Sequence, residues 1–257
     1  MITKKVASGL AVLALAATCS GASPETKAKN TITYPSGTEM VSAHLALPAG
    51  AGRKPAVIVI QEWWGLDDHI ADIVDRLASE GFVALAPDLY GGKVAHDADE
   101  AGTMLTELPV DQAVKDLSGA VDYLLARDEV TSPKLGVIGF CMGGGFVLLL
   151  AAEAGDKISA AVPFYGLGPG LENADLSKIT ADVLGHYAEK DDFYPVDDAK
   201  QLERRLTDEA SGSVKFHYYP GVGHAFHNDK DKLGTYSKEH ATTAWKRTID
   251  FLHSKLI

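Results

Sequence analysis

The chain has 257 residues, 46% of them apolar and 23% charged, and a formal net charge of −11. That length and composition suit one globular domain able to bury a large core without disulfides. A balance this acidic, with no basic stripe, speaks against a nucleic-acid partner.

Lys4 and Lys5 precede a short apolar stretch, VASGLAVLALAAT, and small residues follow it. The pattern is that of a signal peptide over residues 1–22, and the stretch is too short to span a membrane comfortably. Export to the periplasm or cell envelope is therefore expected. Cys19 resembles the lipidated cysteine of bacterial lipoprotein signals, although Thr18 stands where those signals prefer glycine or alanine. A lipid anchor at Cys19 and ordinary cleavage near Ala16 or Ala22 both remain open. Residues 23–30 read as a tether and 31–257 as the folded domain. The chain has two cysteines, so Cys141 would be the only one in that domain, and no internal disulfide is expected there.

Thr31–Tyr34 and Met40–Leu47 read as strands joined by a turn at Pro35-Ser36-Gly37. Ala56–Ile60 (AVIVI) is a β-branched run typical of a strand covered on both faces. Ile70, Ile73, Val74 and Leu77 recur at helical spacing, and Gly81 ends that helix. Phe82–Ala86 is the next strand. A helix beginning near Pro109 follows, its face marked by Val110, Val114, Leu117, Val121 and Leu124. Lys134–Phe140 predicts a strand and Phe146–Ala154 a helix. Ala160–Tyr165 and Asp182–Tyr187 predict two more strands, followed by a helix from near Pro195. Val214–Tyr219 is the last strand and Thr235–His253 the last helix. Alternation of this kind implies α/β architecture: a doubly wound, mostly parallel sheet with helices on both faces and an antiparallel N-terminal edge hairpin.

In such sheets ligands bind beyond the carboxyl ends of the strands. Three polar segments fall there: GFCMGGG around Cys141, EKDD at Glu189–Asp192, and GVGHAF around His224. Gly139-Phe140-Cys141-Met142-Gly143 follows the G-x-nucleophile-x-G pattern with cysteine in place of serine. At a strand-to-helix turn the thiol would sit at a helix N-terminus, which favours a thiolate. The backbone N–H of Met142 would face a developing oxyanion. A lone cysteine among apolar residues is more often a small buried hydrophobe. Glycines also serve close helix–strand packing, and Asp191 alone could be a helix cap. What tips the balance is the order nucleophile, acid, histidine after successive strands, as in α/β-hydrolases. Asp192 rivals Asp191 as the acid at this point.

GFCMGGG, AEKDDFYP, GVGHAFHN, APDLY and QEWWGLDDHI together resemble the dienelactone hydrolases, cysteine-dependent α/β-hydrolases, from about Thr31 to the C-terminus. The resemblance implies Asp191 as the acid and His224 as the histidine. It also singles out Glu62, whose counterpart governs when the thiol ionises, and it gives Trp63 the second oxyanion N–H. Trp64 would either cover the core or wall the pocket. Family members acting on dienelactone hold its carboxylate with two arginines. Neither corresponding stretch contains arginine here, and Lys93 and His227 are the available substitutes, lysine being a point charge without a planar fork.

The expected activity is hydrolysis of activated esters or lactones through a thioester on Cys141, because thiolate is a good leaving group and the adduct collapses backward unless the other group, such as a stabilised enolate, also leaves easily. No cofactor and no metal are expected. His224 and His227 lack the companions of a metal site, and Gly143–Gly145 lack the lysine of a phosphate loop. A monomer acting on a small-molecule substrate is expected. Two rivals remain at this level: a thiol redox protein, which would want a resolving cysteine, and a non-catalytic binding lipoprotein on a hydrolase fold.

Overall fold

The computed structural model describes residues 30–50 and 52–257. The expected signal peptide, Cys19 and all but the last residue of the expected tether lie outside the described residues.

Fourteen main elements run in the order β1 (Thr31–Ser36), β2 (Glu39–Ala46), β3 (Ala56–Ile60), α1 (Asp68–Ser79), β4 (Val83–Pro87), α2 (Ala98–Glu107), α3 (Val110–Leu125), β5 (Leu135–Phe140), α4 (Met142–Ala154), β6 (Ile158–Phe164), β7 (Asp182–Ala188), α5 (Val196–Glu209), β8 (Val214–Tyr219) and α6 (Lys238–Leu256). The eight strands form one sheet in the order β1-β2-β4-β3-β5-β6-β7-β8. β1 and β2 pair antiparallel at one edge, β2 also runs antiparallel to β4, and the other pairings are parallel.

Strand alternation divides the core in two. Along β3, Ala56, Ile58 and Ile60 enter one apolar cluster, while Val57 and Val59 enter the other. Each face thus receives every second side chain, as the pleat requires. The first cluster is roofed by buried residues of α3, α4 and α5, such as Leu117, Phe146 and Leu202. The second takes Ile70, Ile73 and Leu77 of α1 and Ile249 and Leu252 of α6.

Strand order reverses at β3: β4 lies on one side of it and β5 on the other. In an open α/β sheet the crevice beyond the strand ends at such a point receives the ligand. Here it falls between the chain leaving β3, Gln61–Trp63, and the chain leaving β5, Cys141–Met142.

Three boundaries bear on the site or the hairpin and differ from the sequence expectation. The hairpin turn is Gly37–Thr38, because Ser36 still pairs with Glu39 and Gly37 takes a φ of 61°. Pro35 is accommodated inside β1, an edge strand, where a missing N–H costs little. α4 starts at Met142 rather than Phe146, so all three glycines lie within its first turns. They serve close approach: a Cβ on Gly143 would lie 2.5 Å from the Gln61 carbonyl oxygen, and one on Gly144 2.8 Å from that of Phe164. α6 starts at Lys238 rather than Thr235, because the Thr235 hydroxyl donates to the His224 carbonyl at 2.5 Å and ties that residue to the turn.

α2 is an addition to the expected elements. It buries only Ala101 and Met104, too few to write a helical stripe. Its start is marked nonetheless: Asp97 accepts from the Glu100 N–H at 2.9 Å, and Glu100 accepts from the His96 N–H at 2.8 Å. An acidic residue followed three later by glutamate is a readable N-terminal signature.

Candidate active site

Cys141 stands between β5 and α4 with φ 54° and ψ −121°. A side chain other than glycine's rarely adopts a positive φ, so the surroundings must enforce it. They do so by closeness. The Cys141 N–H donates to the Phe164 carbonyl at 3.1 Å, and the Cys141 carbonyl accepts from the Gly144 N–H at 2.9 Å. A Cβ on Gly139 would sit 2.3 Å from the Gly143 carbonyl oxygen. Glycine at both positions lets the turn fold flat against the sheet, with the thiol only 6% exposed. As the first helical residue, Met142 presents an N–H that α4 itself cannot satisfy.

Asp191 lies beyond the end of β7 and His224 beyond the end of β8. Asp191 Oδ1 accepts two backbone bonds, from Phe193 N–H at 2.9 Å and Tyr194 N–H at 2.8 Å. Its Oδ2 accepts from His224 Nδ1 at 2.8 Å, and both side chains are buried. One oxygen is thereby fixed to its own loop and the other to the imidazole. Asp192 points to solvent and is exposed, so the geometry separates the two aspartates that sequence left as rivals.

His224 Nε2 is buried without a hydrogen bond of ordinary distance and angle. Burial disfavours a charged ring, but the interactions with Cys141 and Asp191 outweigh it and push His224 up to about 10. The ring is hemmed by Tyr165 edge-on at 5.2 Å, Phe193 at 4.8 Å and Tyr194 at 5.6 Å between centroids. Phe193 also meets Trp63 edge-on at 5.8 Å and is 50% exposed. An apolar ring so exposed, lying across the histidine, forms the outer wall of the site.

Glu62 follows β3 and is almost wholly buried. Tyr165 Oη donates to its Oε1 at 3.1 Å and Asn228 Nδ2 to its Oε2 at 2.6 Å. Burial pushes the carboxyl up; His69, the Asn228 bond and His224 pull it back only in part. Trp63 is half-buried beside it, within a turn closed by Gly65 N–H donating to the Glu62 carbonyl at 3.1 Å. Because Gly143 packs on the carbonyls of Ile60 and Gln61, the chain carrying Glu62 and Trp63 lies directly against the start of α4.

The remaining residues singled out by sequence go elsewhere. Trp64 is buried with Ala95, Ala101 and Met104, under the Lys232 ammonium at 4.4 Å, and so covers core rather than walling a pocket. His227 is buried among Phe140, Phe164 and Trp245 at centroid distances of 5.4, 5.2 and 5.9 Å. Ala225, at φ 61°, turns the chain inward, so His227 is enclosed in the core instead of facing a ligand. Burial drives its ring strongly toward the neutral form. Lys93 is exposed on the loop after β4, where its carbonyl would meet a Cβ on Gly65. No group of three or more His, Cys, Asp or Glu that could hold a metal exists among the described residues.

Three tyrosines at the site were not read from sequence. Tyr165, at φ 35°, holds Glu62. Tyr90 donates to Met142 Sδ at 3.3 Å. Burial, and then charge on Cys141, raises the phenols of both Tyr90 and Tyr194. Tyr90 and Tyr194 lie inside the quoted APDLY and DDFYP stretches, which was the available signal.

The sequence profile of the dienelactone hydrolase family matches residues 41–256. Relatives include "Protein usf" of Aquifex pyrophilus, 37% identical over 84% of this chain and 94% of that protein. The "Putative carboxymethylenebutenolidase" of Aquifex aeolicus is 34% identical over the same shares. Among solved structures, the "Putative Dienelactone Hydrolase" of Klebsiella pneumoniae superposes with a TM-score of 0.79 at 30% identity, covering 88% of this chain and 98% of that one. With the strained Cys141 turn and the His224–Asp191 pair on one crest of an α/β sheet, this match establishes that the chain belongs to the dienelactone hydrolase family and is a hydrolase of that type.

Proposed function

We propose that the protein hydrolyses activated carboxylic esters or lactones through a covalent thioester on Cys141. The observation that carries this reading is the buried 2.8 Å bond between His224 and Asp191, at the crest where Cys141 is held at a positive φ. The Cys141 thiolate attacks the carbonyl carbon, and the N–H groups of Met142 and Trp63 hold the oxyanion. The tetrahedral adduct collapses, the carbon–oxygen bond breaks, and the leaving alkoxide or enolate takes a proton from the His224 imidazolium. Water then attacks the thioester while His224 takes its proton, and the thiolate departs with the product acid free. Asp191 keeps the imidazole oriented throughout. Glu62 governs when the thiol gives up its proton, so that the resting thiol stays a poor target for oxidants.

The substrate follows from the walls. Phe193, Trp63, Tyr90 and Tyr194 offer aromatic surface, while Lys93 is exposed and His227 is enclosed in the core. No arginine stands on the stretches after APDLY and GVGH. An uncharged aryl or enol ester fits this lining better than a substrate carrying a second carboxylate. In this reading the enzyme is exported through the signal at residues 1–22, with or without a lipid at Cys19, and acts as a monomer. Peroxide chemistry at Cys141 is the weaker alternative, since the thiol is nearly covered and is the only free cysteine among the described residues.

The test compares cis- and trans-dienelactone with an uncharged aryl ester, each with and without prior iodoacetamide. Aryl-ester turnover that is lost on alkylation, and exceeds dienelactone turnover, is the expected result. Dienelactone preferred over the aryl ester would overturn the substrate reading. Turnover that survives complete alkylation of Cys141 would overturn the mechanism.

A further inference from the structure

Behind Glu62 lies a second buried histidine that the reaction above does not use. His69, on the first turn of α1, is 2% exposed. Its Nδ1 meets Asp229 Oδ1 at 3.3 Å, while its Nε2 is buried without a hydrogen-bond partner. Unlike His227, whose two ring nitrogens both lack partners, His69 engages a carboxylate from a loop distant in sequence, while burying its other nitrogen unpaired costs free energy. The imidazole therefore calls for another explanation.

The loop after His224 supplies one. Consecutive residues of that loop grip two different groups: Asn228 donates to Glu62 at 2.6 Å, and Asp229 pairs with His69. The loop thus fixes the Glu62 carboxyl and the imidazole of α1 as one unit. Asp229 is half-exposed, so the unit runs from the covered site to solvent. Of the groups around Glu62, His69 is also the one that most favours its ionised form.

We propose that the His69–Asp229 pair positions charge behind Glu62 and thereby sets how readily Cys141 yields its proton. The signs alternate along the chain of groups. The Asp229 carboxylate lies against the His69 ring, positive charge on that ring favours a Glu62 carboxylate, and a Glu62 carboxylate is the form able to accept the thiol proton. His69 acts through Glu62 and touches no substrate. The proposal rests on the role given to Glu62 above.

The other charges facing this unit are accounted for. Asp67 caps α1 through the N–H groups of His69 and Ile70, and its second oxygen pairs with Lys232 at 3.2 Å. Lys230 bridges Asp72 at 2.9 Å and Asp229 at 3.7 Å. Arg76 stacks on Trp245 at 4.0 Å. His227, 6.0 Å from His69 between ring centroids, is held neutral by burial. The hydrogen bond to His69 holds Asp229 down at about 2, so it stays ionised across the working range.

The experiment measures, for full-length enzyme, the pH midpoint of Cys141 alkylation by iodoacetamide together with kcat, KM and Tm. His69→Gln is expected to raise the midpoint by about one pH unit and to lower kcat at pH 7 about tenfold, with KM within about twofold. Asp229→Asn, at a half-exposed position that should not threaten folding, should move both readouts the same way by less. A purely structural pair would lower Tm and leave the midpoint where it was. Glu62→Gln separates the two levels of the argument. If it moves the midpoint while His69→Gln and Asp229→Asn do not, the pair has no such role and Glu62 keeps its own. If Glu62→Gln leaves the midpoint unmoved, the Glu62 reading fails and this inference with it.

Discussion

His224 and His227 belong to one turn, three residues apart, and both are buried, yet their surroundings drive them in opposite directions. His224 lies on the crest beyond the strands, bonded to Asp191 and facing Cys141, and is pushed up to about 10. His227 lies in the aromatic layer beneath, neither ring nitrogen has a hydrogen-bond partner, and burial drives it strongly toward neutrality. Burial opposes charge in both cases. What differs is whether Asp191 and Cys141 are at hand to offset it. The lesson is that a histidine beside a motif acquires chemistry from its partners, and the backbone at Ala225 decides which of the two obtains them.

The contrast can be broken most severely at His224. His224→Ala should reduce kcat by about 10³–10⁴-fold, measured on an activated aryl ester, with the fold intact by circular dichroism. Asp191→Asn should cost about 10²–10⁴-fold, whereas Asp192→Asn should stay within about twofold. Equal losses at the two aspartates would contradict the geometry.

The pH profile sharpens the same point. A raised His224 keeps its proton to higher pH, so activity that needs the imidazolium should persist above pH 8 and fall as pH passes through about 10. Asp191→Asn removes one of the groups that raise it, so the alkaline limb of kcat/KM should move to lower pH.

A smaller and purely structural effect is expected at the turn that carries the nucleophile. Gly143→Ala would drive a methyl into the carbonyls of Gln61 and Ile60 and should destabilise the fold by about 1–3 kcal/mol, seen in the urea midpoint. The smallest effect belongs to His227. His227→Phe replaces unpartnered buried nitrogens with carbon in an aromatic cage, so activity should hold within about twofold and Tm should move by only a few degrees.

Much of this was legible in the sequence for physical reasons. β-Branched runs between helical stripes announce a parallel sheet, and Cys141, the Asp191–Asp192 pair and His224 announce themselves by following strands in a fixed order, the choice of Asp191 resting on the resemblance. Glu62 became legible only through family resemblance, because a carboxylate after a strand is ordinarily solvated, and what buries it is distant in sequence: Tyr165 and Asn228. Gly143–Gly145 concealed the first turns of α4, since glycine disfavours helix locally while tertiary packing demands it here. His227 could not be told from His224 by pattern, because the inward turn at Ala225 rests on a backbone angle that alanine does not advertise. Tyr90, Tyr165 and Tyr194 carry no pattern that marks them for the site, and only the folded sheet brings them near one thiol.

The most direct test of the central claim is intact-protein mass spectrometry after rapid mixing of His224→Ala with an activated aryl ester, followed by peptide mapping. The account predicts a single acyl adduct on Cys141 that forms in seconds and persists, because the residue that activates water is gone. An adduct confined to another residue, or steady ester turnover by Cys141→Ala without any adduct, would contradict it.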